Sequence, residues 1–191
     1  MRTFVAIDLP PEIRRKIAEL IDVIKPAGSQ VRWARPEGLH VTLKFIGELS
    51  AEKLPEATRR LGAIRAAAPL PLQVRGAGYF PNPRAARVIW LGLQAGPELA
   101  ALAAHVEDAL LPLGIPKEKR AFAAHLTLGR LKTPGSVAGL HEILRRREPL
   151  EFGAFAAEEF YLYESQLSRG GSVYRKLARF AFAENSPSRS G

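Results

Sequence analysis

The chain has 191 residues, 47% of them apolar, enough for one packed core or two closely apposed lobes. It contains no cysteine, which excludes a disulfide scaffold and any thiolate chemistry. Twenty-eight lysines and arginines against 19 acids leave a net charge of +9. That balance favours polyanionic partners, and the prevailing arginine suits phosphate because its planar fork donates two hydrogen bonds at once.

In chain order, Thr3 to Asp8 reads as a strand, and Pro10-Pro11 fits the first turn of a helix carrying Ile13, Ile17, Leu20, Ile21 and Ile24 at helical spacing. The N-terminus turns polar too soon for a signal peptide and no apolar run approaches the roughly 18 residues of a membrane span, so a cytoplasmic protein without membrane contact is expected. Val31-Arg32-Trp33 is a short extended piece that leads through Pro36-Glu37-Gly38 into a strand ending near Gly47. Ser50 is placed to cap a second helix with Leu54, Ala57, Leu61 and Ile64 inside. Residues 72–75 and 87–93 read as strands joined by the loop Phe80-Pro81-Asn82-Pro83-Arg84. A third helix runs from Pro97 to about Leu113, and the basic loop Pro116 to Arg120 delivers the chain to another strand. A shorter helix over 137–147, one or two strands over 150–163 and a closing strand over 172–183 complete the domain. One domain over 1–184 and a flexible small-residue tail over 185–191 are expected.

Two strands repeat one pattern: His40-Val41-Thr42-Leu43 and His125-Leu126-Thr127-Leu128 both read His, apolar, Thr, apolar. Chains of average composition carry two such stretches by accident roughly once in a thousand. Successive side chains of a strand point to opposite faces, so each copy presents an imidazole and a hydroxyl about 7 Å apart over buried aliphatics. The same alternation puts Lys44 on the His40 face and Arg130 opposite His125, unless the strand bends at Gly129. One copy lies in each half of the chain with a helix soon after it. Close strand pairs favour antiparallel pairing, hence an α+β fold: two similar lobes of antiparallel sheet with flanking helices around a central groove.

The remaining histidines, His105 and His141, read as partly buried helix residues in no repeated pattern. Neither repeated strand offers the third ligand of a catalytic zinc, and no nucleotide-triphosphate loop or Gly-x-Ser-x-Gly elbow occurs, so no metal or cofactor is called for. What remains is acid/base catalysis by two imidazoles, which titrate near neutrality. The matching electrophile is a phosphodiester whose oxygens accept from Thr42, Thr127, Arg130 or Lys44.

The two motifs resemble those of the two-histidine phosphoesterases, and most nearly the bacterial RNA 2′,3′-cyclic phosphodiesterases, long called 2′-5′ RNA ligases. The resemblance extends to Phe4-Val5-Ala6-Ile7, Trp33 with Pro36, Lys44 to Glu48, Glu164-Ser165 and Tyr174 with Leu177 and Phe180, and the histidine spacing of 85 residues suits that group. It implies a bilobal fold active without metal, opening the cyclic phosphate at RNA 3′ ends, tRNA fragments among them, to a 2′-phosphate. His40 would protonate the departing 3′ oxygen, His125 would activate water, and Thr42 and Thr127 would hold the non-bridging oxygens. Run backwards, the same site would join a cyclic phosphate to a 5′-hydroxyl. Tyr174 and Phe45 are candidates for stacking on a base. A non-catalytic RNA-binding module and a phosphodiesterase of small cyclic nucleotides are the alternatives, and a monomer is the expected state.

Overall fold

The computed structural model describes residues 1–66, 69–169 and 171–183, so the expected tail lies outside the described residues. Its elements are β1 (Arg2–Asp8), α1 (Pro11–Ile24), β2 (Val31–Trp33), β3 (His40–Glu48), α2 (Leu54–Gly62), β4 (Leu70–Phe80), β5 (Ala86–Ala95), α3 (Pro97–Leu110), β6 (His125–Gly135), α4 (Ala138–Arg145), β7 (Glu151–Ala157), β8 (Glu159–Ser168) and β9 (Gly171–Ala181). All strand pairs are antiparallel, in two sheets of order β3-β1-β8-β9 and β2-β6-β5-β4-β7. Apart from β2 the two orders correspond position by position: β3 with β6, β1 with β5, β8 with β4 and β9 with β7. The α+β fold of two similar lobes is therefore as expected.

The lobes are not the two halves of the chain, however. Helix α1 follows a strand of the first sheet but packs against β7 and α4 beside the second, while α2 and α3 pack on β9 and β3 of the first. The segment read as one or two strands over 150–163 is two, and they belong to different sheets: β7 closes the second and β8 enters the first. Such crossings leave neither lobe able to bury its apolar faces alone. One continuous core results, with Ile13, Ile17 and Ile24 of α1, Leu102 and Val106 of α3, Val41 of β3 and Leu126 of β6 all in it. Ser50 does not cap α2. That helix starts four residues later, after a turn in which the Lys53 N–H donates to the Ser50 carbonyl. None of the described helices is long and apolar enough to cross a membrane.

A smaller cluster, Phe4, Ala6, Tyr161 and Tyr163, is buried apart from that core. Alternation along β1 explains it: Val5 and Ile7 join the main core, so Phe4 and Ala6 point to the opposite, helix-free face of the first sheet.

Candidate active site

Cross-strand register fixes which residues share that helix-free face. In the first sheet Asp8 lies opposite His40, Ala6 opposite Thr42 and Phe4 opposite Phe45. In the second, Gly92 lies opposite His125, Trp90 opposite Thr127 and Val88 opposite Arg130. Directly paired residues of an antiparallel ladder point the same way. Each motif therefore presents its imidazole and hydroxyl away from the helices, and β3 and β6 touch at the junction of the lobes.

The registers also reveal a feature that strict alternation conceals. Val5 pairs with Lys44 but Ala6 with Thr42, so Leu43 is an extra residue in β3; Ile89 pairs with Gly129 but Trp90 with Thr127, so Leu128 is an extra residue in β6. Both motifs carry a β-bulge at the apolar residue that follows the threonine. A bulge reverses the facing of the residues that follow it, as far as the next irregularity in the pairing. Lys44, expected beside His40, is instead turned into the protein and is only 3% exposed. Its Nζ donates to the Pro116 carbonyl at 2.7 Å and pairs with Glu107 at 2.9 Å and Glu118 at 3.6 Å, so it does not reach the candidate phosphate position. Phe45 takes the vacated face, 60% exposed. The corresponding bulge in β6 brings Arg130 onto the face of His125 and Thr127, where its guanidinium has no partner among the described residues.

His40 is half-buried at the end of an aromatic stack. Its ring lies on Phe4 at 4.6 Å between centroids, Phe4 lies on Tyr163 at 5.1 Å, and Tyr174 meets the His40 ring edge-on at 5.2 Å. Tyr174 can close this far because residue 38 is glycine: a Cβ there would stand 2.9 Å from the tyrosine ring. Loss of hydration in this cage pushes the His40 imidazole down to about 4, against the opposing pull of a hydrogen bond to the Gly38 backbone and of the Asp8 carboxylate. Asp8 is itself held by the Tyr163 hydroxyl, which donates to it, by Lys176 at 2.6 Å and by Arg14 at 3.8 Å. Burial and the bond to Asp8 raise the Tyr163 phenol, which stays protonated. Asp8, Arg14, Glu37, Tyr163 and Lys176 line a cavity of about 240 Å³ against the His40 ring.

His125 is exposed and its Nδ1 lies 2.8 Å from the Ala123 carbonyl. A carbonyl only accepts, so Nδ1 carries a proton and Nε2 is the atom available to take or give one. Each imidazole is thus anchored on the backbone two residues before it, at Gly38 or Ala123. His105 and His141 are both exposed rather than partly buried, and His141 Nδ1 lies 3.2 Å from the Tyr79 hydroxyl. Among the described residues no three His, Asp or Glu side chains converge as metal ligands would. Asp8, Tyr163 and Lys176 were not legible as site residues, because only pairing of β1 with β3 and β8, and of β8 with β9, brings them to His40.

The depressed His40 has a consequence for stability. The unfolded chain takes up a proton on this residue near its ordinary pKa of about 6.5, whereas the folded one refuses it until about 4, so folding stability falls as the pH drops between those values. His40→Asn removes that dependence. Urea unfolding at pH 7.5 and 4.5 should show the wild type losing about 2 kcal/mol more than the variant between the two; equal losses would mean that the cage does not desolvate the ring.

The duplicated geometry matches a known pattern twice. The model of LigT-like phosphoesterases aligns with residues 7–90 and again with 91–174, one histidine motif in each copy. The chain belongs to the LigT-like phosphoesterase family. RNA 2′,3′-cyclic phosphodiesterases of Archaeoglobus fulgidus and Methanothermobacter thermautotrophicus are 36% and 33% identical to it over 94% of this chain and 99% and 98% of theirs. Among solved structures, the protein TT0787 of Thermus thermophilus superposes with a TM-score of 0.78 at 32% identity, covering 97% of this chain and all of that one. Escherichia coli LigT complexed with 3′-AMP gives 0.75 at 32% identity over 95% of this chain and 97% of its own. For this LigT-like chain, these similarities run through both lobes and both motifs.

Proposed function

We propose that this chain is an RNA 2′,3′-cyclic phosphodiesterase that opens the cyclic phosphate at an RNA 3′ end to a 2′-phosphate without a metal. The observation that carries the reading is the repeated His-x-Thr strand, bulged at the same place in both lobes and turned to the helix-free face in both. Seven relatives that are 30–36% identical to it are named RNA 2′,3′-cyclic phosphodiesterases, which supports a cyclic phosphate on RNA as the substrate. The solved complex of LigT with 3′-AMP agrees with a nucleotide ligand.

The mechanism follows from the two imidazoles. Neutral His125 takes a proton at Nε2 from water as its oxygen bonds to phosphorus. The bond from phosphorus to the 3′ oxygen breaks, the electron pair leaves with that oxygen, and His40 protonates it. Thr42 and Thr127 donate to the non-bridging oxygens, joined by Arg130, whose charge offsets that of the phosphorane-like transition state. His40 is neutral in the free protein near pH 7; the negative phosphodiester beside it opposes the desolvation that holds it so, and substrate and proton enter together. A 5′-hydroxyl in place of water would give a 2′-5′ linkage by the same steps. Phe45 and Tyr174, whose rings are accessible at the His40 end, would stack on the terminal base.

The deciding experiment is a chelator-treated assay on an oligoribonucleotide ending in a 2′,3′-cyclic phosphate. Conversion to the 2′-phosphate with a bell-shaped pH profile is expected. RNA binding without conversion would instead establish a binding module, and turnover confined to free cyclic nucleotides a small-molecule phosphodiesterase.

A further inference from the structure

The second sheet bears a cross-strand row on the same face as His125. Phe80 of β4 lies opposite Val88 of β5, Val88 opposite Arg130 of β6, and Arg130 opposite Arg32 of the edge strand β2. Lys132, two residues beyond Arg130, is exposed at the end of this row, where the pairing of β6 with β5 becomes irregular. The row lies one step farther from His125 than the row of Thr127, Trp90 and Gly78.

Two properties of this row need an explanation that folding does not supply. Arg32 and Arg130 are directly opposed like charges, a pairing that opposes sheet formation. Neither they nor Lys132 has a carboxylate partner among the described residues. The corresponding face of the first sheet is the reverse: Lys176 is matched by Asp8 and Arg179 by Glu159. At the other end of the row Phe80 exposes 54% of its surface, where a core residue of its type would be covered. A file of uncompensated cations beside an exposed aromatic is the composition that holds single-stranded nucleic acid, its phosphates on the cations and a base on the ring.

We propose that this face is a docking track for the single-stranded RNA that precedes the reacting end, with its phosphates held by Arg32 and Lys132 beside Arg130 at the reacting phosphate, and a base stacked on Phe80. The proposal rests on the cyclic phosphodiesterase reading and extends it: the preferred substrate is an oligonucleotide several residues long, not a lone cyclic nucleotide. Anion binding would also relieve the Arg32–Arg130 repulsion.

The test separates the track from the chemistry. Binding is followed by fluorescence anisotropy with a labelled ten-nucleotide single-stranded RNA bearing an ordinary 3′-hydroxyl, in a series of KCl concentrations. The double variant Arg32→Gln/Lys132→Gln should raise Kd at least tenfold at low salt and flatten the salt slope by roughly 1.4, the share of two phosphate contacts on a single strand. Phe80→Ser should weaken binding about fivefold to tenfold without changing the slope. In parallel, kcat/KM should fall at least tenfold on a cyclic-phosphate-ended ten-mer while staying within twofold on 2′,3′-cyclic AMP. Wild-type affinity and slope in the double variant would overturn the proposal, as would an equal loss on both substrates. If the wild type hydrolyses neither, the phosphodiesterase reading fails, and the anisotropy series still decides whether the track binds RNA.

Discussion

His40→Ala and His125→Ala are each expected to cut turnover of a cyclic-phosphate-ended RNA by about a thousandfold, while the far-ultraviolet spectrum and the thermal midpoint stay those of a folded protein. The size follows from the step each imidazole serves. Without a base at Nε2 of residue 125 the nucleophile is neutral water, and without a proton at residue 40 the 3′ oxygen must leave as an alkoxide. Because bond formation and bond breaking at phosphorus share one transition state, the two losses should not add: the double variant is expected to fall well short of a millionfold. Thr42→Ala and Thr127→Ala remove one donor each from the charge that develops on the phosphoryl oxygens, and about a hundredfold loss is expected for either. The pairing matters as much as the magnitudes. Comparable losses at His40 and His125 are what a site with one catalytic group from each lobe requires, whereas full activity in either alanine variant would remove that histidine from the chemistry. Retained RNA binding with no turnover even in the wild type would replace the enzyme by the binding module.

Legibility in the sequence stopped at the bulges. Periodicity placed the helices, most strands and both His/Thr pairs, because apolar spacing of about 3.6 or 2 residues is a local property. The same rule placed Lys44 on the reactive face and Arg130 off it, the reverse of the register observed on both strands. A bulge is a property of a pair of strands: it appears only when β1 meets β3 and β5 meets β6, strands that lie far apart in sequence. One signal was available. Gly129 occupies the place that corresponds to Lys44, and a Cβ there would stand 2.5 Å from Val31 Cγ1, so a residue with no side chain lets β2 pack against β6 at that point. A glycine inside an apolar strand pattern marks a bulge or a close backbone approach, and here it marks both. The crossing of α1 to the second lobe was illegible for the same reason, since an amphipathic helix declares which of its faces is buried but not against what.

Misplaced by alternation, Lys44 ties the two motifs together and supplies the other large effect. Its ammonium, at the bulge of β3, holds the Pro116 carbonyl of the loop that leads into β6, and it pairs with Glu107 of α3, whose second carboxylate oxygen accepts from the Glu118 N–H. One buried cation thus fixes the strand of His40, helix α3 and the approach to His125. In Lys44→Met the Glu107 carboxylate, 13% exposed, keeps its charge without its partner, and a loss of about 3 kcal/mol in urea unfolding is expected, the usual result of breaking such a pair from one side. Lys44→Met/Glu107→Leu removes the stranded charge as well and should recover most of that stability, since an apolar pair of similar size replaces a buried ion pair at little cost. Activity should not follow. The double variant still lacks the donor to Pro116 and the acceptor for the Glu118 N–H, so residues 116–118 lose both of these polar ties, although Ile115 before them and Phe122 and Ala124 after them still pack on the core. A tenfold lower kcat in both variants is expected, with KM for the cyclic-phosphate substrate little changed, because misplacing a catalytic group slows the reaction more than it weakens binding. Recovery of kcat together with stability would make the network a structural brace and nothing more, whereas stability restored with kcat still depressed would assign Lys44 the positioning of His125.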